Sequence, residues 1–414
     1  MGDTLTTIDG VLKRHYLDFV ADLMNHQKKL YSRLQKTSDE VQAFGSGFIA
    51  FIPTITGHNE AGIGWAAEDG NLPTAGNMTT TQAQVALAYL YGSIRLTGQT
   101  IKASRKREGA LAKAVELQME SLTKRLGAEL NRVFWGRGTG ALSKITAASA
   151  TPQGAGTLFT VDDASRLAEG QIVEMWSTNA GSGGAQTAGT PTISKVDYIN
   201  NKIAFLAAQN ITQNDFIYRS GSRGLVGMGV EGIADGADSG GNLINTTFQN
   251  INRSTTFHYH AAVIDNGGAL QDLDLTLIQR LLDAIETLNG EEVSALWSNL
   301  ALRASYINLL VADKRYVNTL ELDGGWKAVE YSSGGGAIPW FAERMCLPNR
   351  LFALKEDTLQ IHLGQDKPMD WVKAPGEGVL QRVAGKDAYY GTGVSYVNLG
   401  VTEPNKNGVL RDVR

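Results

Sequence analysis

Two glycine-rich segments have the residue types of catalytic or phosphate-binding loops. Residues 238–241, Asp-Ser-Gly-Gly, are similar to the nucleophile segment of trypsin-like proteases, where the serine needs a histidine base and a buried aspartate. No matching histidine segment accompanies them, so a structural loop is favoured. Residues 227–232 satisfy G-x-G-x-x-G, whose glycines bind a pyrophosphate only when they lie between a strand and a helix. Because the residues that follow do not resemble a helix start, a structural role is favoured here too.

Two histidines have a spacing that a metal site would use. His258 and His260 flank Tyr259, and on a strand both side chains would point to one face. Two histidines alone are a weak metal site, and no third ligand is identifiable nearby. We therefore interpret them as ordinary strand residues and expect no metal.

Two carboxylate pairs have the residue types of general acid–base catalysis. The pairs are Asp272 with Asp274 and Glu291 with Glu292. Both lie at predicted helix or strand boundaries, where helix caps and solvated carboxylates are commoner. We expect no catalytic residue and no cofactor.

Two basic clusters are candidates for contacts with DNA or with an acidic protein surface. The first consists of Lys28, Lys29 and Arg33. Either DNA or an acidic protein surface could be its partner, and the sequence does not decide between them. The second, Arg105, Lys106 and Arg107, falls in the first turn of a predicted helix, where the helix dipole disfavours each cation by roughly 0.3–1 kcal/mol. Something outside the helix should compensate, so we assign this cluster to subunit contacts.

The composition is that of a soluble α+β protein. With 414 residues, the chain exceeds the roughly 250–300 at which one core stops growing, so at least two packed regions are expected. No apolar run approaches the roughly 20 residues needed to span a bilayer. The N-terminus lacks the basic start and apolar stretch of a secretory signal. A chain that stays in the cytoplasm where it is made is predicted, with no membrane contact.

The distribution of charge along the chain is more informative about its partners than the net charge is. A net charge of −4 with pI near 5.9 argues against a dedicated nucleic-acid binder. Residues 102–137 contain nine basic and four acidic residues, whereas residues 231–300 contain ten acidic and two basic ones. Opposite fields on two parts of one chain favour association between identical subunits.

The N-terminal third is predicted to contain two helices separated by a long β-excursion. Residues 11–34 have apolar residues near helical spacing. Residues 80–91 and 93–96 alternate and are predicted to be the two arms of the excursion. A helix capped by Ser104 should then run to about Phe134, with one apolar stripe. At 1.5 Å per residue, its length would be roughly 45 Å.

The rest of the chain is predicted to be a β-rich section followed by an α/β region. The section at 155–222 looks like an insertion, with strands at 171–176, 191–198, 202–206 and 215–219 and a hairpin turn at Asn200-Asn201. A helix over 273–288 should end at Asn289-Gly290. A strand at 293–297, a helix through Leu310 and strands at 351–354 and 388–399 complete the prediction.

This order of elements resembles the Hong Kong 97-type coat proteins of tailed phages. The shared order is an N-terminal arm, a long two-stranded excursion, one long helix, and a strand-and-helix domain closed by late strands. Two local segments also resemble the closing segments of these proteins: residues 347–359, LPNRLFALKEDTL, and residues 385–400, from Gly-Lys-Asp-Ala-Tyr-Tyr-Gly to Val-Asn-Leu-Gly. The resemblance covers most of the chain and is weakest in residues 1–40 and 155–222.

The resemblance implies an α+β, Hong Kong 97-like capsid fold with an inserted small β-domain. The β-domain is expected to project from the outer surface. The implied parts are an N-terminal arm with helix at 1–56, an extended β-loop at 57–101, the spine helix and start of the peripheral domain at 102–154, the inserted β-domain at 155–222, peripheral strands at 223–264, an axial domain at 265–375, and C-terminal strands returning to the peripheral domain at 376–414.

The implied function is that of a major capsid protein, which is a structural protein and not an enzyme. Copies of the chain would form hexamers and pentamers of an icosahedral shell around double-stranded DNA. The implied partners are scaffolding protein, portal and a possible decoration protein, with non-specific contact to DNA. The location would be the virion, after assembly in the host cytoplasm.

A long excursion has little core of its own, so its burial against a neighbouring subunit is the best explanation for it. We select Trp65, Val85, Leu87, Tyr89 and Tyr91 as further candidates for subunit contacts.

Some relatives join their subunits by an isopeptide bond from a lysine of the extended loop to a neighbour's asparagine. Residues 57–101 contain no lysine, so a noncovalent shell is expected, with Lys102 the nearest candidate. Recognisable structure begins by about residue 11, so we expect scaffolding to be supplied as a separate protein.

Two alternatives remain at this stage. The shell of an encapsulin-type nanocompartment shares this fold but would need an interior groove for a cargo tail. A hydrolase or nucleotide-binding enzyme would need the glycine-rich motifs to meet in one pocket. The substitution Ser239→Ala discriminates, because it should not affect particle formation if the loop is only structural.

Overall fold

A computed structural model of the chain describes most of its residues. They are residues 28–45, 47–99, 110–147, 154–234, 246–256, 258–312, 319–322, 326–333, 336–365, 367–373 and 379–414. Most of the predicted helix at 11–34 lies outside these ranges. Its last part is the short helix α1 at Lys29–Arg33.

The N-terminal part forms an arm and the beginning of a larger sheet. It consists of β1 (Gln35–Thr37), β2 (Val41–Phe44), β3 (Gly47–Gly57), β4 (Thr79–Ala86), β5 (Ala88–Thr97) and helix α2 (Ala110–Val133). The strands β2, β3 and β4 form a three-stranded antiparallel sheet, in which Ile52 pairs with Ala83. One face of this sheet, with Ala50, Ile52, Ala83 and Val85, is buried.

The predicted arms of the excursion were partly wrong. The pair is β3 with β4, so the excursion begins near residue 47 and not at 57. Strand β5, predicted within the arms, pairs instead with ten residues of a late strand, from Ala388 to Val397. The sequence did not reveal these pairings for two reasons. The apolar run Phe48–Ile52 hides the alternation of β3, and the strand that pairs with β5 lies about 300 residues later in the chain.

Helix α2 lies against β5, and two glycines permit this close approach. A Cβ atom on Gly92 would lie 2.8 Å from Leu122 Cδ1, and one on Gly393 would lie 3.4 Å from Leu126 Cδ1. These glycines are directly paired across the sheet. The helix ends at Val133, one residue before the prediction, while its predicted start lies outside the described residues.

The predicted β-rich section is present and begins one strand earlier than expected. Its strands are β6 (Ala141–Ala147), β7 (Phe159–Val161), β8 (Val173–Trp176), β9 (Gln186–Ala188), β10 (Ile193–Asp197), β11 (Lys202–Phe205) and β12 (Phe216–Arg219). They form an antiparallel sheet in the order β10-β11-β7-β6-β12-β8-β9. The predicted turn at Asn200-Asn201 is confirmed, with Asn201 at φ +50°. Because β6 pairs with both β7 and β12, the unit, called the β-unit below, starts at Ala141.

The β-unit has its own hydrophobic core. Its buried residues pack with one another in a cluster separate from the cores of the other sheets: Leu142, Ile145, Phe159, Val161, Ala164, Leu167, Val173, Met175, Ala188, Ile193, Val196, Ile203, Phe205, Ile211 and Ile217.

The second half of the chain builds a mixed sheet and completes the sheet that contains β5. Its elements are α3 (Val230–Ile233), β13 (Thr247–Phe248), β14 (Ile251–Asn252), β15 (Ala262–Ile264), α4 (Leu275–Asn289), β16 (Ala295–Ser298), α5 (Leu300–Ala312), β17 (Thr319–Leu322), β18 (Trp326–Ser333), β19 (Gly336–Ala342), β20 (Arg350–Leu354), β21 (Leu359–Leu363), β22 (Asp370–Trp371), β23 (Gln381–Arg382), β24 (Ala388–Val401) and β25 (Gly408–Arg411). The predicted stop of α4 is confirmed, because Gly290 adopts φ +75°.

Each of the two larger sheets contains strands from more than one of the predicted domains. The mixed sheet has the order β15-β25-β20-β16-β19-β18-β17, and residues of α4 and α5 share its core. The other has the order β1-β21-β24-β22, with β5 and β23 also paired to β24. Thus β25 and β15 join the strands of the predicted axial segment 265–375, while β21 and β22 leave it. The boundaries drawn at 265 and 375 do not follow the sheets, because hydrogen bonding here connects strands that are distant in sequence.

A buried carboxylate holds the N-terminal segment, the end of α2 and the mixed sheet together. Glu343, which is fully buried after β19, accepts hydrogen bonds from the backbone N–H groups of Lys29 (3.2 Å) and Leu30 (3.3 Å). It also accepts bonds from Asn131 Nδ2 (2.5 Å) and Trp135 Nε1 (3.0 Å). Burial raises the pKa of Glu343, while these donors act in the opposite direction. With four donors, the carboxylate is well satisfied.

We expect Glu343→Gln to lower the free energy of unfolding by about 2 kcal/mol, because the amide NH2 would face donors that need an acceptor. Glu343→Leu should lower it more, since all four donors lose their acceptor. Urea unfolding measures both, with the exposed Glu60→Gln as control. A Leu variant as stable as the wild type would contradict the assigned role.

A second buried polar group, His362 on β21, predicts a pH dependence. Its side chain is fully buried, and desolvation lowers its pKa to about 4. Its Nδ1 lies 3.9 Å from Glu40 Oε2, which is beyond hydrogen-bond distance. In the unfolded chain, the imidazole takes up its proton near pH 6.5. Between the two values, the unfolded state binds more protons, so stability falls as the pH falls.

We therefore expect up to about 3 kcal/mol of stability to be lost between pH 6.5 and pH 4 through this group. Denaturation of wild type and His362→Asn at several pH values from 7.5 to 4 isolates it, because the other groups contribute equally to both. An unchanged pH dependence in His362→Asn would contradict the assignment.

Candidate subunit-contact surface

The tip of the β3–β4 arm exposes large apolar side chains. Trp65 is fully exposed, and Ile63 and Leu72 are 77% and 85% exposed. All three belong to the connection between β3 and β4, where the described chain has few backbone hydrogen bonds. Three large apolar side chains exposed within one connection make it a candidate interaction surface. The arm tip is therefore the first part of the candidate contact surface.

The base of the arm is fixed within the chain. Val85 and Leu87, selected from the sequence as contact residues, are only 3% and 6% exposed. The backbone N–H of Leu87 donates to Phe48 O (3.0 Å), and that of Gln84 donates to Gln249 O (2.8 Å). Since the side chains of Val85 and Leu87 are covered by their own chain, they support the arm and offer little area to a neighbour.

Two tyrosines of β5 form a second exposed patch. Tyr89 and Tyr91 are 40% and 58% exposed and point to the same face, as their spacing requires. Both rings contact Tyr396 edge-on, at centroid distances of 5.1 and 6.2 Å. The hydroxyl of Tyr89 also accepts a hydrogen bond from Phe48 N (3.2 Å). Aromatic groups with one apolar and one polar end are typical of protein interfaces.

Burial raises the pKa of Tyr91 above its ordinary value, and a hydrogen bond with Tyr396 adds to the effect. Its phenol is neutral near pH 7, as that of an ordinary tyrosine is. Desolvating this side chain against another protein costs less than desolvating an ion.

Sequence reasoning missed several exposed apolar residues in the arm. Ile63, Leu72 and Met78 lie in the same connection as Trp65, Ile55 lies on β3, and Phe44 lies on the neighbouring strand β2. The available signal was the presence of isolated large apolar residues in a glycine-rich segment without strand or helix periodicity.

Three sequence-derived candidates lie outside the described residues. The cluster Arg105, Lys106 and Arg107 falls in the range 100–109, as does Lys102, and Ser239 falls in the range 235–245. Their assignments remain predictions.

The G-x-G-x-x-G segment packs against the end of α2. A Cβ on Gly229 would lie 2.5 Å from Val133 O, so only glycine fits there. The next residue, Val230, donates its N–H to Phe134 O at 2.7 Å. The one-turn helix α3 that follows is buried. Gly229 therefore serves close packing of the backbone against the end of α2.

The two histidines do not lie on a strand, so that interpretation was wrong. Residues 258–260 form a turn, which leaves His258 exposed and His260 buried. His260 Nδ1 lies 3.2 Å from Ala261 O, and desolvation lowers the pKa of His260. In the described part of the chain, no group of three or more His, Cys, Asp or Glu side chains is placed to hold a metal ion.

The carboxylate pairs have structural surroundings. Asp272 binds Arg414 at the surface (2.9 Å), and Asp274 is the N-cap residue of α4. Glu291 contacts Lys406 (2.9 Å) and Lys355 (3.4 Å).

Two members of the first basic cluster make contacts within the chain. Lys29 Nζ donates to Ala342 O (2.9 Å), and the Arg33 guanidinium binds both carboxylate oxygens of Glu356 at 2.6–3.1 Å. Arg33 also lies over the ring of Phe341, 4.5 Å from its centroid. These side chains fix α1 to the mixed sheet.

None of the described helices combines the length and the apolar character needed to cross a bilayer.

Comparison with known proteins identifies the fold. No protein-family model and no curated protein matches the sequence. A chain of the cyanophage A-1(L) capsid asymmetric unit is similar over 99% of both chains, with a TM-score of 0.58 and 13% identity. The holo-SrpI encapsulin of Synechococcus elongatus PCC 7942 has a TM-score of 0.49 and 9% identity, covering 99% of this chain and 95% of that one. A chain of Microbacterium phage Oxtober96 has a TM-score of 0.48 and 10% identity, covering 99% of each.

At 13% identity, the likeness to the cyanophage chain establishes the fold alone. It confirms the expected class: the chain has a phage-capsid fold of Hong Kong 97-like type, built from mixed sheets with few helices.

Proposed function

We propose that this chain is the major capsid protein of a tailed phage, a structural subunit and not an enzyme. Copies of it would assemble into hexamers and pentamers of an icosahedral shell that encloses double-stranded DNA. The observation that carries the proposal is the β3–β4 arm, whose apolar tip is exposed in a chain with a capsid fold.

In the proposed assembly, the arm would place its tip against another subunit. Strand β3 has 11 residues, which corresponds to roughly 36 Å at about 3.3 Å per residue. Ala50, Ile52, Ala83 and Val85 fix one end in the main core, while Trp65 and Ile63 are exposed at the other. Covering each of these two side chains would contribute about 1.5–3 kcal/mol, which is favourable only when a partner is present.

The proposed roles of the other elements follow from the same capsid fold. Helix α2 is the proposed spine helix, and the β-unit is the proposed inserted domain on the outer surface. The patch at Tyr89 and Tyr91 is a second proposed contact between subunits, and Arg105–Arg107 a third. Proposed partners are a separate scaffolding protein, a portal and a decoration protein. The chain would assemble in the host cytoplasm and reside in the virion, with non-specific contacts to DNA.

Negative-stain electron microscopy of the purified chain, alone and with the products of neighbouring genes, tests the function. Closed icosahedral shells, or free hexamers and pentamers, are expected. A monomer under every condition would refute the proposal.

Single substitutions at the arm tip should affect assembly without affecting the fold. Ile63→Ser and Trp65→Ser each remove apolar area that only a neighbour would cover, so the concentration needed for assembly should rise about 10- to 100-fold. The unfolding free energy should change by less than about 0.5 kcal/mol, because both side chains are exposed. Light scattering against protein concentration measures assembly, and urea unfolding measures the fold.

Ile199→Ser is the matched control, since Ile199 is 92% exposed in the β10–β11 turn of the β-unit. It should assemble as the wild type does. An equal loss of assembly in the Ile63 and Ile199 variants would show that general surface hydrophobicity, and not the arm, drives association.

The shell should also be noncovalent. Residues 57–101 of the arm region contain no lysine that could form an isopeptide bond with a neighbour. Assembled particles boiled in detergent should therefore migrate as a single chain of 44.5 kDa on electrophoresis. A ladder of cross-linked species would contradict this prediction, and its loss in Lys102→Arg would assign the bond to Lys102.

A further inference from the structure

The arm sheet, formed by β2, β3 and β4, joins the six-stranded sheet through two short connections. Residues 38–40 lie between β1 of the six-stranded sheet and β2, and Leu87 alone lies between β4 and β5. Each residue has two soft backbone dihedrals, so these connections by themselves leave the angle between the sheets adjustable. Contacts around Leu87, a place called the arm corner below, must therefore set this angle.

Tyr396 on β24 contacts both sheets at the arm corner. Its ring is stacked on that of Phe48 in β3, with a centroid distance of 6.1 Å and an interplanar angle of 21°. It also meets the ring of Tyr89 in β5 edge-on, at 5.1 Å. The Tyr89 hydroxyl in turn accepts a hydrogen bond from the Phe48 N–H (3.2 Å). Three side chains from three strands thus form a closed set of contacts that includes both sheets.

Asn398 makes a second connection at the arm corner. It lies two residues after Tyr396 on β24, so both side chains are on one face of the strand. Asn398 is buried, its Nδ2 donates to Ala86 O at the end of β4 (2.7 Å), and its Oδ1 accepts from Leu399 N (2.8 Å). Hydrogen bonds and aromatic pairs have preferred geometries, whereas general apolar burial is non-directional. These contacts therefore favour one angle between the two sheets.

We propose that Tyr396 is a positioning residue that sets the angle of the arm and, through it, the size of the shell. The arm is roughly 36 Å long, so a tilt of about 10° moves its far end by about 6 Å. That displacement exceeds the roughly 4.0–4.5 Å within which apolar side chains are in contact. Because the rotation between neighbouring subunits decides how an assembly closes, a changed arm angle should change the curvature of the shell. The relation to shell size rests on the proposed function, whereas the arm angle is a property of the free chain.

Distances between two spin labels in the full-length, unassembled chain test the arm angle. One label is attached at Thr80→Cys, exposed on β4, and the other at Ser93→Cys, exposed on β5. Thirteen residues of extended chain separate these positions, so the distance is at most roughly 43 Å. The native Cys346 is buried and should stay unlabelled. Double electron–electron resonance should give a single narrow distance distribution when the arm corner is intact.

Tyr396→Ala should at least double the width of this distribution, whereas Tyr396→Phe keeps the ring and should leave the width unchanged. Phe48→Ala removes the stacked pair from the arm side, so it should also broaden the distribution, and it keeps the test valid if Tyr396→Ala does not fold. Tyr390→Ala is the matched control, because Tyr390 lies on the same face of β24 but pairs with Arg95, away from the arm corner. An unchanged width in both corner variants would overturn the proposal.

Particle diameters of the unlabelled variants, measured by electron microscopy, test the relation to shell size. Tyr396→Ala should give mixed diameters, and Tyr396→Phe and Tyr390→Ala the single diameter of the wild type. A broadened label distance with an unchanged diameter would overturn the role in shell size. If the wild type forms no particles, the proposed function fails and the role in shell size fails with it, while the label distances still decide whether Tyr396 sets the arm angle.

Discussion

The buried carboxylate of Glu343 is the interaction on which most of the remaining structure depends. It joins backbone N–H groups at residues 29–30 to side chains at the end of α2, more than 200 residues earlier in sequence than the carboxylate itself. Trp135, one of its donors, packs on Trp297 and Phe352, so one polar contact also fixes the aromatic core of the mixed sheet. A buried charge with four donors tolerates few other arrangements, which makes this junction specific as well as stable.

A second set of ionic contacts fixes the β-unit to this junction. Glu129 on α2 binds Arg132 (2.7 Å) and Arg219 of β12 (3.2 Å), and these two cations overcome the cost of burial and lower the pKa of Glu129 to about 2. On another side, Ser165 and Arg166 of the β-unit donate to the carbonyls of Arg344 and Met345. Although the β-unit has its own core, it is therefore held at both α2 and the segment after Glu343.

Local patterns predicted elements well and pairings poorly. The helix ending at Asn289-Gly290 and the hairpin at Asn200-Asn201 were predictable because their signals lie within a few residues. The pairing of β5 with β24 connects residues about 300 apart and leaves no local signal. The alternating pattern likewise led us to select both Val85 and Tyr91 as contact residues, although Val85 is buried and Tyr91 is exposed. Periodicity indicates that a strand has two faces, whereas only the tertiary structure decides which face is covered by the chain itself and which is left for a partner.

The combination of a rigid junction and an exposed arm explains how weak contacts would suffice for the proposed assembly. Each apolar side chain at the arm tip contributes about 1.5–3 kcal/mol when covered, which is small for one contact between two free proteins. In a closed shell, however, each subunit would place its own arm against one neighbour and receive the arm of another. Further contacts become intramolecular once the first have formed. This gain requires that the arm keep its direction. The base residues Ala50, Ile52, Ala83 and Val85 provide that constraint, because they bury the arm in the same core as Trp135 and Trp297. On this account, substitutions at the base should alter the geometry of assembly, whereas those at the tip should alter its strength.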